Sequence, residues 1–528
     1  MFRRALENRC ERQFLMLSRN IDDLCANENK ENKKKHDLSI ENTKIVLATG
    51  EYDLRYPKIA GRLQIDMYMY FRRDFNLSSY KLDDVAGNFI SDDIKKIEFV
   101  EDITLGKITE LYTKNINGLN VGDYIHIEIS SFTSDYYKDG FKFPVLNIIR
   151  DREIIENVKG KEMTNKYNII CIGGHEQIDR SKSIKWCMTK DDVSPQDIFR
   201  LSNGSSTDRA KVAKYCIQDC NLVHHLMNKI DVITGYVEMS RICSVPISFL
   251  VFRGQGIKLT SYVAKKCREK DTLMPDLEKS YEADGYEGAI VLPPKCSMYM
   301  DNPVACVDYS SLYPSSMISQ NYSHDSKVWT KEYDLEDNLF HETGEKDKSG
   351  KYIYDNMDGY KYIDIEFDTF EYKRNDQRPA AKAVKTKVGK KVCRWAQLPN
   401  HQKSIMPAIL EELLKARSDT RKLIKTEPDP FMQNILDKRQ SGYKVTANSL
   451  YGQCGAKTST FYEKDVAAST TATGRMMIIY AKRIIEEVYG DREYETESHG
   501  VVKCLAEYIY GDSVANYTPV FVLTIFNR

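Results

Sequence analysis

The feature that most constrains the fold is the run DNPVACVDYSSLYPS at residues 301–315. Val304, Cys306 and Asp308 share one parity, and the run is apolar up to Asp308, which predicts a buried strand that ends at a carboxylate. A hydroxyl-rich turn, an aromatic residue and a proline follow. An acid in this position can hold Mg²⁺, and the turn can offer backbone N–H and hydroxyl donors to phosphate oxygens. An ordinary strand end with a Ser/Pro turn is the alternative, and for an isolated D-x-x-S it would be the favoured interpretation, so the choice depends on the longer string.

The string DYSSLYPS at residues 308–315 resembles motif A of the family B DNA polymerases, D-x-x-S-L-Y-P-S, at every fixed position. The resemblance implies that Asp308 binds both catalytic metal ions. It also implies that Ser311 and Leu312 meet the triphosphate, and that Tyr313 stacks under the sugar and excludes a 2′-hydroxyl.

Composition limits the alternatives. A chain of 528 residues is long enough for several domains. Lys plus Arg equals Asp plus Glu at 77 each, so net charge gives no sign of nucleic-acid binding, although a local basic groove would suffice. The 13 cysteines form no C-x-x-C pair, which excludes a zinc ribbon and favours a reducing compartment. Without a signal peptide or a run of roughly 20 apolar residues, we expect an intracellular protein with no membrane partner.

The first part of the chain resembles the family's 3′→5′ exonuclease domain. The stretch GRLQIDMYMYFRRDFNLSSYKLDDVAGNF at 61–89 predicts two helices and resembles a segment of that domain, with Asp66 interpreted as a structural acid. Residues 101–150 are rich in Thr, Ile, Val and Tyr with turn signals, and predict a β-rich insertion. Residues 211–227 predict an amphipathic helix.

Tyr215 and Asp219 lie four residues apart on one face of that helix. A surface pair is the ordinary interpretation, but in this context they resemble the third exonuclease motif, where the Asp is a metal ligand and the Tyr orients the attacking water. The other two motifs, Asp-x-Glu and Asn-x-x-Phe-Asp, do not precede residue 211 in the expected setting. We therefore expect a partial, RNase H-like exonuclease domain without proofreading activity of its own.

Two segments resemble those that link the exonuclease domain to the palm, FRGQGIKL at 252–259 and YEGA at 286–289. Their glycines suit close approach of a template strand, and the resemblance implies DNA contacts at Tyr286 and Gly288. The family's Pro-x-x-Gly-x-Tyr is replaced after YEGA by PPKCSMY, which alters that turn.

Residues 326–400 are charged and turn-rich with aromatic patches, and predict a β-containing insertion in the palm to which we assign no chemistry. The Gly-Lys-Lys at 389–391 is predicted to be a solvated loop rather than a phosphate contact.

Residues 404–425 predict a helix that starts at Ser404, with Pro407 in its first turn. Arg417 and Arg421 project together from it at i, i+4. The family often has Lys at the fourth position after the Arg, so Lys422 is the alternative to Arg421.

Residues 434–456 contain K-x-x-x-N-S-x-Y-G, which resembles motif B of the family. Lys444, Asn448 and Tyr451 lie at i, i+4 and i+7 on one stripe of a helix predicted to stop at Gly452. The resemblance implies an antiparallel pair of helices, the fingers, whose cations converge on the triphosphate. The segment at 469–478, STTATGRMMI, either re-enters the palm or is an ordinary packing helix.

The string EYIYGDS at 507–513 resembles the start of motif C, Tyr-Gly-Asp-Thr-Asp-Ser. The resemblance implies that Asp512 is a catalytic acid and metal ligand beside Asp308. After Asp512 the match stops, where the family has Thr and a second Asp that is its principal metal ligand. Either an intein begins at Ser513, its splicing nucleophile, or the reading frame has decayed; the intein is favoured.

The predicted fold class is a multidomain chain of α/β and α+β type. It combines a partial RNase H-like exonuclease domain, a palm of antiparallel sheet with helices, and two-helix fingers, with the thumb absent. The predicted boundaries are 1–235 for the exonuclease part, 236–403 for the linker and first part of the palm, 404–455 for the fingers, 456–512 for the rest of the palm, and 513–528 for the intein start.

The motifs together predict a family B DNA polymerase of a large double-stranded DNA virus, similar to the delta-type enzymes and acting inside the infected host cell. It would add dNTPs to a primer on template DNA with two Mg²⁺ ions, and a processivity factor is a candidate partner. By itself this chain is expected to be weak or inactive. The alternatives are an inactive DNA-binding fragment and a precursor that must be spliced at Ser513. Another class of palm polymerase is disfavoured by Tyr313 within SLYPS.

Overall fold

The computed structural model describes residues 2–20, 26–28, 36–38, 40–47, 50–131, 133–158, 161–189, 193–274, 286–300, 304–373, 384–496, 500–512 and 520–526. The chain divides into two compact units, Met1–Thr234 and Gly235–Arg528. This division falls one residue before the boundary expected at 235. None of the described helices is long and apolar enough to cross a bilayer.

The described residues of the first unit form six α-helices and eleven strands. Its helices are α1 (Phe2–Glu7), α2 (Glu11–Leu15), α3 (Met67–Asp74), α4 (Leu82–Phe89), α5 (Pro195–Ser202) and α6 (Ser206–Lys229). Its strands are β1 (Ala26–Glu28), β2 (His36–Leu38), β3 (Ile40–Leu47), β4 (Gly50–Pro57), β5 (Ser91–Asp102), β6 (Gly106–Thr113), β7 (Tyr124–Ser130), β8 (Ser134–Tyr136), β9 (Phe143–Val158), β10 (Lys161–Gly173) and β11 (Ser183–Thr189).

Six of these strands close into an antiparallel barrel. Strand β5 pairs with β6, β6 with β10, β10 with β9 and β9 with β7. Strand β11 then pairs with both β7 and β5 and completes the ring. Ile125 and Ile127 on β7 are fully buried, whereas His126 and Glu128 between and beyond them are half-buried. This alternation is the period of a strand with one face in the core.

The β-rich insertion is wider than the sequence indicated. We expected it at about 101–150, but the barrel extends from Ser91 to Thr189. The prediction was too short because β10 and β11 pair with strands that are distant in sequence, and local composition does not show such pairings. The RNase H-like architecture of the surrounding domain stays a prediction.

Local capping explains where two helices of the first unit begin. Asp66 caps α3, and its Oδ1 accepts a hydrogen bond from the backbone N–H of Tyr68 at 3.0 Å. This confirms its interpretation as a structural acid. Ser205 and Asp208 form a capping box at the start of α6, the helix that was expected at 211–227.

The second unit begins within α7 (Val232–Cys243), which crosses the boundary between the units. Its other helices are α8 (Ile247–Phe252), α9 (Gln255–Glu269), α10 (Leu312–Gln320), α11 (Ile405–Thr426), α12 (Pro430–Cys454) and α13 (Lys464–Arg483). Its strands are β12 (Val291–Leu292), β13 (Val304–Asp308), β14 (Lys327–Tyr333), β15 (Leu339–Thr343), β16 (Lys361–Lys373), β17 (Val384–Gln397), β18 (Arg492–Thr496), β19 (Gly500–Asp512) and β20 (Val520–Phe526).

A five-stranded sheet carries the two expected catalytic acids. Its order is β12-β19-β20-β13, with β18 paired to β19. Strand β13 ends at Asp308 as predicted, but the prediction that it is buried was wrong, because Val304 and Val307 expose 44% and 47% of their surface. An apolar run predicts burial only where a second layer covers the sheet, and a single strand's sequence does not show that layer.

Strand β20 comes from the segment 513–528 that was expected to begin an intein. In the structure it pairs antiparallel with both β13 and β19 and lies between them. Ser513, the expected splicing nucleophile, lies outside the described residues. The intein therefore stays a prediction.

A four-stranded antiparallel sheet of order β15-β14-β17-β16 occupies the stretch expected to be a β-containing insertion. The Gly-Lys-Lys at 389–391 lies inside β17, so the prediction of a solvated loop was wrong. Lys391 Nζ lies 2.8 Å from Asp465 Oδ1 and 3.0 Å from Glu332 Oε1. The acids that bury this lysine come from α13 and β14, which are distant in sequence.

Helices α11 and α12 form a helical hairpin joined by three residues. Asp429 caps α12 by accepting a hydrogen bond from Phe431 N–H at 3.0 Å, and the helix runs past Gly452, the predicted stop, to Cys454. The hairpin packs against α7, and two of the contacts come from α12. Arg439 Nε lies 2.6 Å from Glu238 Oε2, and a Cβ on Gly442 would lie 2.8 Å from Ile242 Cδ1.

Candidate active site

Asp308 and Asp512 end two strands of the same sheet. Asp308 on β13 lies opposite Val520 on β20. Gly511 on β19 lies opposite Phe521, so that Asp512, one residue further in the same register, is level with Val520. Residues level with each other project from the same face of a sheet. Two strand spacings put the Cα atoms of the acids about 10 Å apart, so the structure brings the two expected metal ligands together.

The surroundings of the two acids differ. The protein partly desolvates Asp308 and raises its pKa, while the ammonium of Lys444 on α12 opposes that rise. The hydroxyl of Tyr510 donates a hydrogen bond to Asp512 Oδ2 at 3.2 Å. Within the described ranges no group of three His, Cys, Asp or Glu side chains could hold a metal ion. A metal ion bound by these two carboxylates would therefore take further ligands from water or substrate.

The turn after Asp308 is strained. Ser311, the N-cap of α10, has φ +50° in the left-handed region, which costs a residue with a Cβ about 1–2 kcal/mol. Such strain is concentrated at binding and catalytic sites. Leu312 and Tyr313 are only 6% and 3% exposed. Leu312 is the first residue of α10, so its backbone N–H has no hydrogen-bond acceptor within the helix. The N–H of Leu312 can therefore donate to a phosphate oxygen.

Three tyrosines from distant parts of the chain form one cluster beside this turn. The ring centroids of Tyr313 and Tyr451 are 4.6 Å apart. The hydroxyls of Tyr451 and Tyr286 are 3.4 Å apart, and burial is the main reason that the pKa of both is raised. A Cβ on Gly455 would overlap the Tyr286 hydroxyl. Tyr286, expected to contact DNA, thus lies in the same cluster as two expected nucleotide contacts.

The cations of the helical hairpin lie near one another. Arg417 Nε donates to Gln440 Oε1 at 3.3 Å, and burial together with the nearby Arg421 lowers the pKa of Arg417. Lys422 instead forms an ion pair with Asp419 at 3.2 Å. This arrangement favours Arg421 over Lys422 as the cation that acts together with Arg417.

The motif B stripe is positioned by α12. Lys444 is exposed and Asn448 and Tyr451 are half-buried. In the described part of the chain, no hydrogen-bond partner reaches the buried Oδ1 of Asn448. A buried acceptor of this kind calls for a donor that these residues do not supply.

Gly288 is exposed, and a Cβ there would meet no atom within 4 Å. The carbonyls of Glu287 and Gly288 accept hydrogen bonds from Arg475 Nη1 at 3.0 and 2.9 Å. Arg475 also lies 3.4 Å from Glu287 Oε2. Arg475 was not among the predicted site residues, although it belongs to the 469–478 segment that forms much of α13.

A family model described as DNA polymerase family B matches residues 245–519, just over half of the chain. The chain belongs to DNA polymerase family B. This confirms the family that the motifs indicated.

Relatives of this family B chain include viral and cellular enzymes. The DNA polymerase of Phaeocystis pouchetii virus is 52% identical over 515 residues, which are 97% of this chain and 47% of that protein. The DNA polymerase of Pyramimonas orientalis virus is 36% identical, covering 97% of this chain and 39% of the relative. The DNA polymerase delta catalytic subunit of Oryza sativa subsp. japonica is 34% identical, covering 61% and 25%. The chain thus spans about half or less of the length of these relatives.

The expected exonuclease residues of this family B chain lie in the first unit. Tyr215 and Asp219 are four residues apart on α6, and both are half-buried. Because no group of three potential ligands occurs anywhere in the described stretches, the structure does not add the further ligands that a two-metal nuclease site requires.

Sequence reasoning missed Gly474 and Gly455, whose lack of a side chain makes room for Tyr313 and Tyr286. A glycine inside a helical pattern commonly has a packing reason. Gly474 stands inside the pattern of residues 469–478, so that signal was present in the sequence, but the tyrosine it accommodates was not identifiable.

Proposed function

We propose that this chain carries the nucleotide-adding site of a viral DNA polymerase, which extends a primer 3′-hydroxyl with dNTPs chosen by a template. One observation carries the proposal: Asp308 and Asp512 stand level in one sheet, and the Lys444 ammonium is close enough to affect the ionisation of Asp308. Paired carboxylates beside a cationic helix meet the needs of a triphosphate with its metal ions. The relatives named as DNA polymerases support the same activity.

Two carboxylates suit Mg²⁺, which prefers oxygen ligands and commonly takes one or two carboxylates together with substrate phosphates and waters. Asp308 and Asp512 would hold two such ions. When bound, the ions would stabilise the charge on the attacking and leaving oxygens of the transferred phosphate.

The remaining roles belong to side chains of the chain itself. Arg417, Arg421 and Lys444 would bind the β- and γ-phosphates through charge-assisted hydrogen bonds. The ring of Tyr313, held against Tyr451, would lie beneath the sugar and exclude a 2′-hydroxyl by its bulk. These groups bind and orient the dNTP, which is most of what phosphoryl transfer requires of a protein.

The test is binding of a fluorescent primer–template DNA by the full chain with Mg²⁺ and either the next correct dNTP or a mismatched one. We expect the correct dNTP to tighten the complex, and Asp308→Asn to abolish that effect. A matched control is Asp368→Asn, which changes an exposed acid paired to Lys387 at 2.8 Å. Equal binding with correct and mismatched dNTP would contradict the proposal and would favour an inactive DNA-binding fragment.

We also propose that primer extension by this chain alone is slow or absent, because residues 513–514 are Ser-Val where the family motif has Thr-Asp.

We further propose that the chain has no 3′→5′ exonuclease activity of its own. Digestion of a mismatched primer that is lost in Asp219→Ala would contradict this. Since two of its relatives are polymerases of viruses, we place its action inside an infected host cell, on primer–template DNA.

A further inference from the structure

Gly474 lies inside α13, where it is buried against the first two residues of α10. A Cβ on Gly474 would lie 2.6 Å from Tyr313 Cε1, 3.4 Å from Tyr313 Cδ1 and 3.7 Å from Leu312 Cδ2. Glycine is among the poorest helix formers, so a glycine in the middle of a helix calls for a packing reason. Here the reason is the ring of Tyr313.

The ring has little freedom to avoid an added atom. Tyr313 is 3% exposed, so the ring cannot turn out into solvent. The ring centroid of Tyr451 is 4.6 Å away, and Tyr451 in turn lies against Tyr286, with 3.4 Å between their hydroxyl oxygens. Carbon atoms in ordinary contact are about 3.5–4.0 Å apart, so a methyl group at position 474 would displace the ring by roughly 1 Å.

We propose that Gly474 is a positioning residue for sugar selection. Its missing side chain sets the position of the Tyr313 ring, and thereby how strongly the site distinguishes deoxyribose from ribose. This rests on the proposed function, in which Tyr313 lies beneath the sugar. Gly474 itself touches no substrate and acts through the ring of Tyr313.

The contact itself is tested by thermal unfolding of the full chain, without any ligand. Gly474→Ala should lower the melting temperature in the unchanged protein, because the added methyl overpacks the site. In a Tyr313→Ala background the same substitution should raise it, because alanine favours a helix over glycine. Gly235→Ala is the matched control, since that helical glycine has no atom within 4 Å of a would-be Cβ. Gly235→Ala should change the melting temperature by the same amount in both backgrounds. A fall in melting temperature of equal size in both backgrounds for Gly474→Ala would overturn the proposed contact.

The role in sugar selection is tested by titrating dCTP and CTP into the chain bound to a primer–template with Mg²⁺. A ring displaced by roughly 1 Å should weaken dCTP binding about tenfold, since errors of that size at a positioned group are costly. In Gly474→Ala the CTP-to-dCTP ratio of dissociation constants should change at least threefold. In a Tyr313→Ala background, Gly474→Ala should change neither dCTP binding nor this ratio. An unchanged ratio, with dCTP bound normally by the unchanged protein, would overturn the inference alone. Failure of the unchanged protein to bind dCTP would overturn the proposed function, and the sugar-selection role with it.

Discussion

Replacing Lys391 by methionine should destabilise the second unit, because this lysine is one of two that neutralise three clustered acids. Lys391 Nζ lies 2.8 Å from Asp465 Oδ1 and 3.0 Å from Glu332 Oε1. Lys327 Nζ lies 2.6 Å from Glu463 Oε2 and 3.2 Å from Asp465 Oδ2. The substitution would leave three carboxylates around a single ammonium.

The magnitude follows from the burial of the partners. Breaking a buried ion pair by removing one partner costs about 3–5 kcal/mol, since the other charge stays buried. The side chain of Asp465 is 10% exposed, but that of Glu332 is 26% exposed and keeps part of its hydration. We therefore expect the lower end of the range, about 3 kcal/mol. For a unit of this size that corresponds to a fall in melting temperature of about 6 °C.

The assay is thermal unfolding of the full chain at neutral pH, with Lys390→Met as the control. Lys390 is the neighbouring residue on β17, and its partners Asp337 and Glu366 are 70% and 57% exposed. Exposed pairs of this kind contribute up to about 1 kcal/mol, so the control should melt within about 2 °C of the unchanged protein. If Lys391→Met melted as Lys390→Met does, the buried network would not have the role assigned to it.

The same network gives a pH dependence. Burial by itself would raise the pKa of Asp465, but Lys327 and Lys391 outweigh burial and lower it below its ordinary value of 3.8. A carboxyl whose pKa is depressed by folding stabilises the fold above its unfolded pKa, and that stabilisation is lost as pH falls through the folded pKa. The difference in melting temperature between Lys391→Met and the unchanged protein should therefore be largest at neutral pH and decrease in strong acid.

Three further predictions concern the site and the hairpin. Gly442→Val should cost about 1–3 kcal/mol in thermal unfolding through overpacking, because even a Cβ would lie 2.8 Å from Ile242 Cδ1; an unchanged melting temperature would contradict the close packing of α12 on α7. Mn²⁺ affinity, measured by calorimetry, should decrease as the solution is acidified. The decrease should begin at a higher pH than for an ordinary aspartate, because the pKa of Asp308 is raised and the ligand must be ionised. Arg421→Ala should weaken dNTP binding about tenfold through loss of a charge-assisted hydrogen bond, whereas Lys422→Ala, which is paired to a neighbouring acid, should not; the reverse result would exchange their roles.

Features confined to one element could be predicted from the sequence. Alternating apolar residues that end at a carboxylate located β13 and Asp308. Helical spacing located α11 and α12 and put Lys444, Asn448 and Tyr451 on one stripe. Each of these patterns depends on residues a few positions apart, and the motif resemblance then connected them to one site.

Features that depend on distant partners could not be predicted. The barrel closes only because β11 pairs with both β5 and β7, and local patterns do not encode which strands will meet. Lys391 was predicted to lie in a solvated loop because its acidic partners, Asp465 on α13 and Glu332 on β14, are distant in sequence. The exposure of Val304 and the contact of Gly474 with Tyr313 likewise depend on which layer or side chain arrives from elsewhere in the chain.

The pair of acids on β13 and β19 is the arrangement on which the catalytic proposal depends. Mn²⁺ titration of the full chain with a dNTP, followed by electron paramagnetic resonance, measures it directly. We expect two bound ions per chain, with Asp308→Asn and Asp512→Asn each removing tight binding. Retention of both ions in either variant would show that the two carboxylates do not share a metal site.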